Sequence, residues 1–347
     1  STATRHRVPQ LMLQGILSSL VQGFLTAEVS TSLFVSDFLH PVALICTFVV
    51  ICRICGPKSD MSADGVKSRR GKLRIMTYLS PGVQVGLFEL IRDYLESVTG
   101  LDAYLIYESR WSGPPRGRVD PFTADDVDMV FMCSTAYLQL KQNKNAFIEL
   151  CPAAALHSHP MATGRPVYFS DLIVHTNNKE RFKDFHALKG CRWAYNDEIS
   201  LSGNLVMMAE LKKHGYDANF FGSSTQSGSH LNSIQLILNG RADAAAIDSN
   251  TISGYKMEHP ENMEQLQTIM SLGPMPIYPI VFNNRLSAEL KSSITKALLG
   301  ITQKPEWGQR LLQMGVVGYT EVDETFYGME NEIQDMVKNM SLAPAYY

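Results

Sequence analysis

Cys191-Arg-Trp-Ala-Tyr195, Asn196-Asp-Glu-Ile-Ser200-Leu-Ser-Gly203 and Asn204-Leu-Val-Met-Met-Ala-Glu-Leu-Lys-Lys-His-Gly215 follow one another without interruption. The first run is aromatic and apolar, as a strand requires. The last carries Leu205, Met208, Ala209 and Leu211 on one helical face, with Gly215 placed as a C-cap. Between them lies a polar turn ending in Ser-Leu-Ser-Gly. A strand feeding a helix through such a turn is the building unit of an α/β protein, and the turn sits at the strand's C-terminal end, where open α/β sheets bind ligands.

The same unit recurs on both sides. Leu73–Tyr78 reads as a strand, Leu79–Gly82 as a turn, and Val85–Val98 as a helix with Leu87, Leu90, Ile91, Tyr94 and Leu95 inward, closed by Gly100. Ala103–Tyr107 and Asp128–Met132 read as strands, the latter leading through Cys133-Ser-Thr135 into a helix. Downstream, Ala218–Phe221 reads as a short strand, and a helix starts near His230 with Leu231, Ile234, Ile237 and Leu238 inward. Ala244–Ile247 is a strand with Asp248 at its tip. Val167–Val174 and Ile277–Phe282 flank this second block, so the expectation is two α/β lobes joined by two crossing strands: 71–166 with 277–347, and 167–276.

Composition narrows the function. With 45% hydrophobic and 19% charged residues the chain can bury substantial cores, and 31 Lys+Arg against 34 Asp+Glu leave a net charge of −3. That balance argues against nucleic-acid binding driven by phosphate neutralisation. Six cysteines over this length do not make a disulfide scaffold, and Cys133, Cys151 and Cys191 cannot all pair.

Residues 1–70 read as an extension outside the α/β pattern. Its apolar segment at 38–55 is short of the roughly 20 residues of a membrane span, with Asp37 and His40 just upstream. Met12–Ala27 lacks a basic leader of its own, Cys52–Cys55 has no second metal-ligand pair, and Met61 opens the polar stretch before the first strand. Membrane association and compartment stay open on these residues.

The chemistry concentrates at two helix starts. Ser200-Leu-Ser-Gly203 precedes one helix and Ser227-Gly-Ser-His230 opens another, so hydroxyls and free N–H groups converge as an anion site would need, although one serine at each start also serves as an ordinary N-cap. His230 can donate from either ring nitrogen. Asp248 suits a ligand amine or hydroxyl, or caps the helix after it. His157-Ser158-His159 lacks companions for a metal, reads as a loop, and no metal or cofactor is expected.

Leu188-Lys-Gly190, Trp193-Ala-Tyr-Asn196, Ser200-Leu-Ser-Gly203, Ser227-Gly-Ser-His230 and Gly240–Asp248, in this order and spacing, resemble the phosphate/phosphonate-binding proteins of ABC importers, a branch of the type II periplasmic binding proteins. The likeness extends over about 72–337 and is strongest across 165–255. It implies a two-lobed clamp that binds a phosphonate, phosphate, phosphite or similar oxyanion without altering it, outside the cytoplasm, with an ABC permease as partner if the chain is exported. Carried over by position, Ser200 and Ser202 grip the oxyanion within the loop Ile199–Gly203, which includes Leu201 and Gly203. His230 joins them, Asp248 meets a ligand amine, and Tyr168 faces the ligand from the first crossing strand. From the first lobe, Ser80, Trp111, Ser134 and Thr135 are candidates by location. Two other classes share the scaffold: a pyrimidine-forming enzyme of thiamine biosynthesis, which calls for a nucleophile–base pair or a Cys-rich iron site, and a ligand sensor.

Overall fold

Two five-stranded mixed sheets and a two-stranded ribbon organise residues 71–340, the part of the chain described by the computed structural model. They lie within one unit, Ser68–Tyr347. In chain order the first stretch runs β1 (Lys72–Tyr78), α1 (Val85–Thr99), β2 (Asp102–Glu108), β3 (Met129–Phe131), α2 (Ser134–Gln142), β4 (Ile148–Leu150) and β5 (Ala154–His157). The long β6 (Val167–His175) then leads to β7 (Arg192–Tyr195), α3 (Val206–Lys213), β8 (Ser223–Gln226), α4 (His230–Leu238), β9 (Ala244–Asp248) and α5 (Ser249–Glu258). After the short α6 (Pro260–Met263), β10 (Leu266–Pro276) runs back to β11 (Ile280–Asn283), α7 (Ala288–Leu299), α8 (Pro305–Gln313), β12 (Val316–Thr320) and α9 (Gly328–Val337).

The first sheet has the order β2-β1-β3-β11-β4, the second β10-β6-β9-β7-β8, and β12 pairs β5 in the ribbon. In the first sheet β1 is parallel to β2 and β3 while β11 is antiparallel to β3 and β4. In the second, β7 is parallel to β8 and β9, and β6 is antiparallel to β9 and β10. Helix α1 forms where the periodicity places it: Leu87, Leu90, Ile91, Tyr94 and Leu95 are all buried, and Gly100 at φ +70° donates its N–H to the Glu96 carbonyl. Each such aliphatic side chain contributes roughly 1.5–3 kcal/mol on burial.

Four expectations are corrected. The second crossing strand is β10, paired antiparallel along β6, whereas Ile277–Phe282 leads into β11 of the first sheet. The β10 signal is hidden because its buried residues do not alternate and Gly273-Pro274 interrupts the pairing between Leu272 and Met275. Ala218–Phe220 is a 3-10 turn, capped by Asp217 Oδ1 accepting from Asn219 N at 2.9 Å, and the strand is the polar run Ser223–Gln226 at the sheet edge. On α4 the inward stripe is His230, Ser233, Ile234 and Ile237; Leu231 is 50% exposed, so polar residues ride the inner face and an apolar one the outer. His157 ends β5, buried, with Nε2 at 2.9 Å from the Tyr278 hydroxyl, so only Ser158 and His159 form the expected loop, with His159 stacked on Phe169.

Helix α9, without a counterpart in the sequence reading, touches both layers. It packs on α3, whose Lys212 Nζ donates to the Met336 carbonyl at 2.7 Å, and its Glu330 accepts from Thr135 at the start of α2. The segment at 38–55, Met12–Ala27, Cys52–Cys55 and Met61 lie outside the described residues. Among the described residues no helix is long and apolar enough to cross a membrane, and Cys133, Cys151 and Cys191 are free thiols.

Candidate functional site

Strands β7 and β9 end side by side, and each delivers its chain into a helix start. After β7, Ser200 opens a wide first turn, Leu201–Leu205, in which Leu205 N donates to the Ser200 carbonyl five residues back at 2.9 Å. Ser200 Oγ accepts the Gly203 N–H at 3.1 Å, so this serine is a cap whose own O–H proton stays free to donate. Ser202 is buried, its carbonyl held by the Ser170 hydroxyl at 2.7 Å and its Oγ 3.2 Å from His230 Nε2. His230 is the first residue of α4, whose cap is Ser229. Burial lowers the imidazole pKa to about 4, opposed by the Ala246 backbone, so the ring is neutral at pH 7.

Asp248, at the tip of β9, caps α5 by accepting from Asn250 N at 2.7 Å and Thr251 N at 3.4 Å. Burial raises its pKa to about 7 against the pull of those two N–H groups, which leaves a carboxyl near half-protonation at neutral pH. Gly203 is dictated by packing: a Cβ there would lie 1.7 Å from Asn196 Oδ1 and 3.1 Å from His230 Cε1. The close approach this glycine permits is by neighbouring side chains, not by the cavity's contents.

These groups face a cavity of about 550 Å³ lined from both sheets. Ser80, Trp111, Ser134, Thr135, Tyr168, Ser200, Leu201, Ser202, His230 and Asp248 all line it, and Gly203 stands just behind. Thr135 Oγ1 donates to the buried Glu330 carboxylate at 2.6 Å, so its proton is already engaged and only its lone pairs remain for the cavity. Burial raises the Glu330 pKa, opposed by hydroxyl donors at Ser134 and Thr135. Burial likewise raises the Tyr168 phenol, with the Asp248 and Glu330 charges adding to it. The turn after β1 is fastened to α5, where Thr251 Oγ1 donates to the Gly82 carbonyl at 2.6 Å and Gln84 Nε2 donates to Gly254 O at 3.3 Å and Glu258 Oε1 at 2.7 Å.

Several lining residues were not anticipated. Asn196, buried with Oδ1 unpartnered, is the residue following β7, and its place at a strand end was a legible signal. Asn250 follows the Asp248 cap. Tyr278, buried and bonded to His157, enters from the link between β10 and β11, which only the correct crossing strand reveals. Arg110 and Arg116 also line the cavity, as does Ile199, the first residue of the expected serine loop. Among the described residues no group of three or more His, Cys, Asp or Glu is placed to hold a metal ion.

Two sheets joined by a paired set of crossing strands, with a cavity between them, define a two-lobed periplasmic-binding-protein fold. Residues 73–327 match the family model described as the periplasmic substrate-binding protein of phosphonate ABC transporters, and the chain belongs to that family. Similar solved structures include a binding-protein component of an ABC phosphonate transporter from Pseudomonas aeruginosa, at 19% identity and TM-score 0.61 over 76% of this chain and 86% of that one. PhnD1 of Prochlorococcus marinus, solved with methylphosphonate, matches at 17% identity and TM-score 0.60 over 78% and 99%. A Xanthomonas citri protein solved with ATP matches at 15% identity and TM-score 0.54 over 77% and 97%. At these identities the likeness concerns the fold.

Proposed function

We propose that this chain is a solute-binding component that clamps a small phosphorus oxyanion, a phosphonate, phosphate or phosphite, between its lobes and passes it unchanged to an ABC permease. The lobes are taken as 71–166 with 277–347, and 167–276, with α9 bridging them. The observation that carries this reading is the meeting of two helix starts, the Ser202–His230 pair and the free Ser200 proton at one wall of an interlobe cavity. Ser200, Leu201, Ser202 and His230 hold the oxyanion; Tyr168, Ser80, Ser134 and Trp111 enclose it; Asp248 and Thr135 accept from an amine or a protonated oxygen. Methylphosphonate on a protein of this fold supports the ligand class.

The Ser202–His230 spacing is that of a nucleophile and its base, as an enzyme on this scaffold would need. A ring whose pKa is near 4 is a weak base, however, and no carboxylate is hydrogen-bonded to it, so binding accounts for the pair better than catalysis. Calorimetry with methylphosphonate, phosphate and phosphite tests the proposal. Saturable 1:1 binding of at least one, with the ligand recovered intact, is the expected result; no binding of any of the three, or chemical conversion of a bound ligand, overturns it.

A further inference from the structure

The cavity is far larger than the group its cradle is built to hold. Methylphosphonate has five non-hydrogen atoms, and one water's share of liquid volume is about 30 Å³. A space of about 550 Å³ belongs instead to the range that encloses drug-sized molecules. Beside the cradle the two lobes already meet: Thr251 donates to Gly82, and a Cβ on Gly82 would stand 3.7 Å from His230 Cδ2. The room extends the other way, toward the 110–116 loop, Ala136 and Gln139.

At that end the lining changes in chemistry. Trp111 is 41% exposed and Ile199 53% exposed, one from the loop after β2 and the other from the loop after β7, and both line the same cavity together with Pro114 and Pro115. Single exposed apolar side chains are ordinary; two large ones from opposite lobes at one mouth are not. The Trp111 platform is preformed. Its carbonyl accepts Leu79 N at 2.9 Å, and Gly113 lies so close to α2 that a Cβ on it would be 2.7 Å from the Ala136 Cβ. Of the two arginines at this end, Arg110 is paired with Glu108 through Nε and Nη2, at 2.9 and 2.7 Å, and Arg116 is exposed, so the apolar contact surface is that of Trp111 and Ile199.

Resting on the oxyanion reading above, we infer that the ligand is an organophosphorus anion with a flat or apolar substituent, its head group in the cradle and its substituent between Trp111 and Ile199. These two residues set specificity. An aromatic substituent gains ring contact with Trp111 and buries apolar surface that a methyl group cannot reach.

The test is calorimetric titration of the full chain and of Trp111→Ala, Trp111→Phe and Ile199→Ser with methylphosphonate and with phenylphosphonate. Wild type is expected to bind phenylphosphonate about 10-fold tighter, or more, than methylphosphonate. Trp111→Ala brings the two affinities to within about 2-fold of each other, Ile199→Ser reduces the ratio less, and Trp111→Phe keeps most of it. Methylphosphonate binding with no gain, or a loss, for the phenyl ligand overturns this inference and leaves the oxyanion reading standing. Binding of neither overturns both.

Discussion

The wall of the cavity built from the second sheet and the wall built from the first hold their side chains in different ways. On the second-sheet wall Ser200, Ser202, His230 and Asp248 sit at strand ends and helix starts, short, mostly buried, and each fixed by a bond to backbone or to another member of the group. The first-sheet wall offers Trp111, Pro114 and Arg116 on a loop, partly exposed, with Thr135 tied back to α9. A polar group already held by the fold binds without further ordering cost, whereas an exposed loop side chain selects by shape and surface. On the proposed function, this difference assigns affinity to one wall and selectivity to the other.

The hardest blow to that division is Gly203→Ala. The added methyl displaces Asn196 or His230 in a packed cradle, an overpacking cost of about 1–3 kcal/mol. Binding should fall by about 100-fold or more with a loss of several degrees in Tm. A variant with wild-type affinity would show that the cradle is not where the ligand sits.

Ser202→Ala and His230→Ala come next. Hydrogen bonds to a charged group are worth roughly 1.5–3 kcal/mol, so each should weaken oxyanion binding by about one to two orders of magnitude. His230 also carries a pH signature. Its folded pKa, about 4, lies below the ordinary 6.5, so the unfolded chain takes up the proton first. The ligand-free protein therefore keeps this stability above pH 6.5 and loses it as the pH falls toward 4, and the slope of Tm against pH in that window should be shallower in His230→Ala. A bound anion favours the imidazolium, so binding near pH 6 should take up protons, which titration in buffers of different ionisation enthalpy detects.

Asp248→Asn sharpens the comparison with a change of sign. The folded pKa of about 7 stands above the ordinary 3.8, so folding holds a proton that the unfolded chain has released, and stability drops as the pH rises through that window. Asparagine caps equally well and carries no charge, so the Tm at pH 8 should rise by roughly a few degrees. Affinity for phosphate should be equal or better, and affinity for an aminophosphonate weaker.

Thr135→Val should have the smallest effect. The hydroxyl already donates to Glu330, so its loss removes an acceptor from the cavity and a bond from α9 but no donor from the oxyanion. A change in phosphate affinity of about 3-fold or less is expected. A loss as large as that of Ser202→Ala would erase the distinction between the walls.

Trp193–Tyr195, Ser200–Gly203, His230 and Asp248 were legible because local rules place them: a strand ends, a helix begins, and the first turn needs caps. The same logic carried β1, α1 and Gly100. Leu231 was misplaced because periodicity scores hydrophobicity, while α4 turns His230 and Ser233 inward to meet Ser202 and Ser227. Asp217 caught Ala218–Phe220 in a turn, and the Gly273-Pro274 break hid the second crossing strand.

What the sequence by itself determined was the alternation of strands and helices and the residues at their junctions, because those obey forces acting within a few residues. Which sheet β11 joins, where Tyr278 and Asn196 meet the cavity, and why Gly203 must lack a side chain were decided only by the tertiary structure. So was the burial that takes His230 down to about 4 and Asp248 up to about 7. The dielectric around a group and the space beside it are set by segments far along the chain: Gly82 meets Thr251 across 169 positions, and Thr135 meets Glu330 across 195.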